Sequence, residues 1–322
     1  MDQVALGRTG LRVSRLAYGN MTFGSQVPMD EARRLVRRCL DAGINFFDTA
    51  DVYNQGRAEE MLGEILGTDR GRVVLASKVR GKMGEDSAQQ GLSRRWILKA
   101  VEGSLLRLKT DRLDVYYLHQ PDYATPLEES LATMDSLVRS GKVLHIGVSN
   151  FAAWQMTQMM WICDRNGWSA PAVVQPMLNL LARGIEGELL PSCREFGLGV
   201  FAYNPLAGGL LTGKHGGGQP PAKGTRFDGN KMYLDRYWHP AMFEAVRRAE
   251  EVARSAGKSL VELSLQWCLQ QPGVHGVILG ATREEQLVQN IAAAEGRLDE
   301  STLKACDEVW RSIAGPVPKY NR

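Results

Sequence analysis

Eight short apolar runs divide the chain, at residues 16–18, 45–48, 73–78, 113–119, 144–149, 172–175, 199–203 and 274–279. Several are nearly continuous in β-branched or aromatic residues, the pattern of strands buried on both faces. Between the runs the period changes to that of an amphipathic helix. Residues 29–42 put Leu35, Val36, Cys39 and Leu40 on one side and Arg33, Arg34, Arg37 and Arg38 on the other, and Gly43 closes that helix. Thr125-Pro126-Leu127-Glu128 predicts a helix start with Thr125 as its N-cap, and the same helix ends at Ser140-Gly141. Thr282-Arg283-Glu284-Glu285 predicts a second capping box directly after the last strand.

Strands that alternate with helices imply parallel pairing through crossover connections. Eight such units predict an α/β fold, a (β/α)8 TIM barrel, with residues 1–322 as a single domain. A doubly wound open sheet is the alternative. It usually carries G-x-G-x-x-G after its first strand, and Tyr18-Gly19-Asn20-Met21 does not match. Residues 4–16, with Gly7 and Gly10, predict an N-terminal β-hairpin before the barrel. A long loop follows strand 7. Residues 204–239 show no steady period and hold Gly208-Gly209, Gly216-Gly217-Gly218, Pro220-Pro221, Tyr233, Tyr237 and Trp238. Loops of that length are often functional, and a lid over the barrel mouth is the expectation.

Composition supports a large folded core: of 322 residues, 44% are hydrophobic and 23% charged, which excludes a disordered chain. Lys+Arg minus Asp+Glu is 39 − 36 = +3, too small a charge to suggest a nucleic-acid or membrane partner. The 34 glycines follow no collagen-like period. Five cysteines, an odd number with no C-x-x-C pair, fall in helical patterns and read as buried free thiols. No signal-peptide pattern opens the sequence and no apolar stretch reaches 18 residues, so a cytoplasmic location is expected.

The chemistry concentrates where the strands end, the face on which TIM barrels build their sites. Successive runs finish in Asp48, Lys78, His119, Ser149-Asn150, Gln175, Tyr203 and Gly280-Ala281-Thr282, and Tyr53 lies five residues past Asp48. No His-x-His or acidic cluster supports a metal, and no serine or cysteine stands beside a plausible base. A lysine beside a phenol favours the phenolate, and an aspartate holds that lysine charged and oriented. A phenol so tuned can donate a proton to a carbonyl oxygen gaining negative charge, with His119 bonding the same oxygen. This set supplies no reductant, so a cofactor must bring the hydride. Gly280-Ala281-Thr282 opens a helix whose N–H groups can receive phosphate. Arg283, Lys214 and Arg226 are candidates for an adenosine 2′-phosphate, Tyr203 for stacking on a nicotinamide, and Ser149, Asn150 and Gln175 for its carboxamide.

These residues resemble the aldo-keto reductase superfamily over essentially the whole chain. The likeness is carried by Asp48-Thr49-Ala50 with Tyr53, Leu75-Ala76-Ser77-Lys78, Tyr117-Leu118-His119-Gln120-Pro121-Asp122, Gly147-Val148-Ser149-Asn150-Phe151, the run from Tyr203 to Lys214, and that from Gly280 to Asn290. Ser149 to Trp154, Asn166-Gly167-Trp168 and Asp235-Arg236-Tyr237-Trp238 look most like the branch of aflatoxin-aldehyde and succinic semialdehyde reductases.

The resemblance implies NADPH-dependent reduction of aldehydes or ketones to alcohols, with Asp48, Tyr53, Lys78 and His119 catalytic. For NADPH/NADP+ it implies Gly19, Asn20, Met21, Asp48, Ser149, Asn150, Gln175, Tyr203, Asn204, Pro205, Leu206, Gly208, Leu210, Lys214, Arg226, Gly280, Ala281, Thr282, Arg283, Gln286 and Asn290. Tyr53, His119, Trp238, Arg236 and Arg322 are the candidates to meet a small carbonyl substrate. Asn20, followed by Met21, stands where the family often has threonine, a departure near the first strand. The superfamily also holds regulatory NADP(H)-sensing subunits resembling potassium-channel β subunits, an alternative from another functional class. Homodimers are the assembly that this branch implies.

Overall fold

The computed structural model describes residues 1–217 and 219–315. Its strands are β1 (Gln3–Ala5), β2 (Arg12–Ser14), β3 (Leu16–Gly19), β4 (Phe46–Asp48), β5 (Val74–Val79), β6 (Leu113–Leu118), β7 (Val143–Ser149), β8 (Val173–Gln175), β9 (Gly199–Tyr203) and β10 (Gly276–Leu279). Its α-helices are α1 (Met29–Asp41), α2 (Arg57–Leu66), α3 (Arg94–Leu108), α4 (Leu127–Arg139), α5 (Ala153–Asn166), α6 (Leu189–Phe196), α7 (Lys231–Tyr237), α8 (Pro240–Ser255), α9 (Leu260–Gln270), α10 (Glu284–Ala293) and α11 (Glu300–Ala314). Two compact units emerge. The first comprises Met1–Pro176, Glu186–Tyr203 and Gly273–Val288; the second comprises Met177–Ile185, Asn204–Pro272 and the chain from Gln289.

The first unit contains the whole barrel. Strands β3 to β10 close in the order β10-β3-β4-β5-β6-β7-β8-β9, every pair parallel, as the alternation of elements predicts. Side chains alternate between the two sides of a strand. Ala17, Phe46, Ala76, Val115, Tyr117, Val173, Phe201 and Ile278 fill the interior. The antiparallel β1–β2 hairpin adds Leu6 and Val13 to the same cluster and so plugs the end where the strands begin. That plug depends on a bare backbone: Gly7 has φ +57, and a Cβ there would lie 2.3 Å from the Gly199 nitrogen.

Helix α1 buries Leu35, Val36 and Cys39 as its pattern predicts, and Gly43 follows it with φ 78. The start of α4 departs from expectation. Pro126, not Thr125, holds the N-cap position, and the Thr125 hydroxyl donates to Asp122 instead. The extended backbone that a proline imposes on the residue before it frees Thr125 from the helix. All five cysteines are free and buried, and burial pushes the Cys163, Cys193 and Cys306 thiols up to about 11, 12 and 12.

The second unit holds α7, α8, α9 and α11, and it gives the aperiodic stretch after β9 a core of its own. Residues Ala207–Thr212 form a 3-10 turn, and α7 follows. Phe227 packs its ring 4.7 Å from Trp238 and 6.0 Å from Tyr233, and Trp238 meets Phe243 at 5.0 Å. Tyr233 and Tyr237, two of the aromatics that mark this stretch, are therefore buried packing residues.

Tyr117, fully buried inside the barrel, leaves no room opposite it on β7. A Cβ added to Gly147 would lie 2.4 Å from the Tyr117 ring. Gly147→Ala should therefore lose about 1–3 kcal/mol through overpacking. Urea unfolding measures this; a midpoint equal to that of the parent would show that the interior yields.

Candidate active site

Two residues beyond each inward-facing apolar position, the period of two brings the next inward position to the rim of the barrel. From Ala17, Phe46, Ala76, Tyr117, Gly147, Val173, Phe201 and Ile278, that step leads to Gly19, Asp48, Lys78, His119, Ser149, Gln175, Tyr203 and Gly280. One ring of the barrel thus collects polar side chains from six strands, with glycines at the other two. His119 lies just past β6, and its N–H donates to the Val79 carbonyl, extending the barrel's hydrogen bonding by one residue.

At the centre of the ring Lys78 is completely buried. Its ammonium has three hydrogens and meets three acceptors: Asp48 Oδ1 at 2.5 Å, the Thr49 carbonyl at 2.8 Å and the Tyr53 phenol oxygen at 3.2 Å. Burial works against the charged amine, but Asp48 and Tyr53 outweigh it and raise the Lys78 pKa above its ordinary value. A buried pair broken on one side leaves an uncompensated charge, worth about 3–5 kcal/mol. The second oxygen of Asp48 accepts from Gln175 Nε2 at 2.8 Å, so the carboxylate is fixed from both sides.

Tyr53 is half-buried and lies edge-on to the His119 ring, with centroids 5.9 Å apart. The Lys78 ammonium also stands 4.8 Å from the centre of the phenol ring. Burial first, then the positive charges of Lys78 and Arg80, drive the His119 pKa down to about 3. The imidazole is therefore neutral at ordinary pH and offers one N–H donor.

A continuous chain of hydrogen bonds runs from this centre across the next strand ends. Ser149 Oγ donates to the Gln175 carbonyl at 2.8 Å. Asn150, in the left-handed region with φ 64, donates to Ser149 Oγ and the His119 carbonyl. Its side-chain oxygen accepts from the Tyr203 hydroxyl at 2.7 Å. The three residues expected at a carboxamide are thus brought together with Tyr203, while the Gln175 side chain is turned to Asp48.

Beyond β10, Gly280 is exposed and Ala281 is anchored through its carbonyl by the Tyr18 hydroxyl. The expected capping box takes another form. Gln286, not Glu285, folds back on Thr282, accepting from its N–H at 3.1 Å and its hydroxyl at 3.0 Å. The Glu284 N–H donates to Glu31 of α1 at 2.8 Å. Arg283 is exposed at the same terminus. Near β3, Gly19 and Met21 are half-buried, but Asn20 is fully enclosed and its amide donates to the Ala58 carbonyl.

Asn204, Pro205, Leu206, Gly208, Leu210, Lys214, Arg226, Arg236, Trp238 and Asn290 belong to the second unit. Asn204, with φ 63, donates to the Tyr237 hydroxyl and accepts from the Gly208 N–H, which shapes the Gly208-Gly209 turn. Leu210 is fully buried there, Lys214 is exposed, and Arg226 stands over the Tyr233 ring at 5.7 Å. Arg322 lies outside the described residues. The sequence reading missed the Thr49 carbonyl, the Gln175–Asp48 bond and the Glu31 cap. Only the strand-end position of Gln175 carried a signal, and it did not name a partner.

Depression of the His119 pKa has a stability consequence. The unfolded imidazole gains a proton near pH 6.5, and the folded one does not until about pH 3. The stability that the neutral ring contributes is present above pH 6.5 and is lost as the pH falls through that window. NMR of the imidazole nitrogens should show His119 neutral down to pH 5; a midpoint near 6.5 would refute the burial argument.

Residues 15–311 match the aldo/keto reductase family. The chain is 40% identical over 302 residues to a protein of Oryza sativa subsp. japonica described as a probable voltage-gated potassium channel subunit beta, covering 92% of each chain. It is 37% identical over 325 residues to human aldo-keto reductase family 7 member A3, covering 94% of this chain and 96% of that one. It is 36% identical to aflatoxin B1 aldehyde reductase member 2 of Rattus norvegicus, covering 94% of this chain and 86% of that one. The buried lysine–aspartate pair with its phenol and imidazole thus sits in a chain that belongs to the aldo/keto reductase family.

Proposed function

We propose that this protein reduces aldehydes or ketones to alcohols, with NADPH as reductant and Tyr53 as the proton donor. One observation carries the reading: the Lys78 ammonium, fixed by Asp48, donates to the Tyr53 oxygen while the neutral His119 stands beside the phenol. An ammonium at that position stabilises the phenolate left when the proton departs. His119, with one N–H to give, orients a carbonyl oxygen without competing for the proton. Asp48 and Gln175 keep Lys78 aimed at Tyr53 throughout.

The residues present suit a dinucleotide. At α10 the terminal N–H of Glu284 already holds a carboxylate, that of Glu31, so this terminus accepts negative charge. Gly280, Ala281, Thr282, Arg283 and Gln286 would bind phosphate there, with Asn290 completing the set that the resemblance gives. Tyr203 would face the nicotinamide, and Ser149 and Asn150 its carboxamide; Gly19 and Met21 would line the same side. Asn20 enters this reading through its backbone only, because its side chain is enclosed. When bound, NADPH supplies the reducing equivalent as hydride. Lys214 and Arg226, with Arg283, are proposed for the 2′-phosphate, and the 204–210 segment for the cofactor. Arg236 and Trp238 are proposed for the substrate. A cytoplasmic, homodimeric protein is part of the same proposal.

Tyr53→Phe should lower turnover by about 10²–10⁴-fold, the usual contribution of a positioned acid, while fluorescence titration finds NADPH still bound. Retained turnover would sink the mechanism. Arg283→Ala, Lys214→Ala and Arg226→Ala should each weaken NADPH by about tenfold or more, as for a lost charged hydrogen bond, and leave NADH unchanged. Equal affinities for the two cofactors in the parent protein would overturn the 2′-phosphate assignment. The rice relative's description favours a regulatory reading as the second candidate. Steady-state oxidation of NADPH with a panel of aldehydes separates the two, since a sensor without turnover would consume none.

A further inference from the structure

Behind the barrel wall, strand residues that face outward meet α2 and α3. Ser77 of β5 is paired in register with Tyr116 of β6, one position off the inward row of Lys78 and Tyr117. Glu59 of α2 is fully buried, and its two oxygens accept from Ser77 Oγ and from Arg107 Nε of α3, the latter at 2.8 Å. Asp51 joins this layer from the turn between β4 and Tyr53, its own N–H donating to the Lys78 carbonyl at 3.3 Å. Its side chain is 0% exposed, and neither carboxyl oxygen meets a side-chain donor among the described residues. The Tyr116 hydroxyl and the Ser104 hydroxyl of α3 are enclosed and unpartnered.

Two carboxyl groups here share one guanidinium, since the Lys78 ammonium is committed to Asp48, Thr49 and Tyr53. Glu59 takes both side-chain hydrogen bonds, and Asp51 has only the adjoining Val52 backbone N–H. A carboxylate buried without a guanidinium or hydroxyl donor is the costlier of the two to ionise. We propose that Asp51 is a positioning residue of the proton-transfer site, held as a neutral acid so that Lys78 answers to Asp48 alone, and that its ionisation sets the alkaline limit of activity. Burial, then the Glu59 charge, pushes the Asp51 carboxyl up to about 8, while the Val52 N–H, Arg107 and Lys78 pull it back. Electrostatic coupling is mutual, so an ionised Asp51 acts on Lys78 as strongly as Lys78 acts on it. A second negative charge beside the ammonium weakens its field at the Tyr53 oxygen. The phenol then gives up its proton less readily.

The kinetic half of this proposal rests on the reductase reading; the charge state of Asp51 does not. For an aldehyde that the parent protein reduces, kcat/KM should fall on the alkaline side with a midpoint near pH 8. In Asp51→Asn the ratio of kcat/KM at pH 9 to that at pH 7 should rise about threefold or more, as one titration is removed. Superimposable profiles would overturn the positioning role. Urea unfolding tests the neutral acid independently. A carboxyl with its folded pKa raised contributes stability at low pH that is lost as pH rises to the folded value. Asp51→Asn should therefore gain on the parent between pH 4 and pH 8, then run parallel; a constant difference overturns the neutral acid. If the variant does not fold, the infrared carbonyl band of a protonated acid in the parent decides: present at pH 6.5 and gone by pH 9.5 supports it, absent at both refutes it. A parent protein with no aldehyde reduction at any pH sinks the functional reading and the kinetic half, while unfolding still reads Asp51.

Discussion

An ammonium ion with no access to water must find three acceptors in fixed directions, and Lys78 finds them in Asp48, Thr49 and Tyr53. Much of the first unit's architecture can be traced to that requirement. Strand β4 must end where its carboxylate reaches across to β5, and the chain must then turn so that Thr49 presents its carbonyl and Tyr53 its hydroxyl. Gln175 comes from the far side of the barrel to hold the other oxygen of Asp48. A rigid parallel barrel suits the task, because each strand delivers one side chain to the rim and ladder hydrogen bonds fix its height. The charge is costly to bury and costlier to leave unpaired, so the groups around it have little freedom to move apart.

The same strand geometry explains how much of the site could be read in the sequence. A buried strand alternates strictly, so an apolar inward position at Phe46, Ala76 or Val173 commits the residue two places on to the rim. Asp48, Lys78 and Gln175 are legible for that reason, and His119, Ser149 and Tyr203 with them. The barrel and its hairpin are legible too, from eight apolar runs and two early glycines.

What escaped the sequence are partnerships between distant elements. Glu31 lies on the first helix and caps α10, more than 250 positions away, with no local pattern to announce it. Thr125 has the spacing of an N-cap, but the proline after it shifts the helix start by one residue and gives its hydroxyl to Asp122. Asp51 sits inside a recognisable motif beside Asp48 and Tyr53, yet its environment is made by α2, α3 and β6. The aromatic residues after β9 show what composition alone conceals. Tyr233 and Tyr237 stand in a glycine-rich stretch with no steady period, and they fill a small core with Phe227.

The burial of every cysteine has a bearing beyond packing. α,β-Unsaturated carbonyl compounds are soft electrophiles, and thiolates are the protein nucleophiles that they modify most readily. Cys39 in α1, Cys163 in α5 and Cys193 in α6 are shut away from solvent and held protonated by their apolar surroundings. The helices that pack around the barrel thus carry their sulfur on the inner side, and the surface offers reactive aldehydes no thiol from any of the five cysteines. A fold built this way withholds from soft electrophiles the side chain that they modify first.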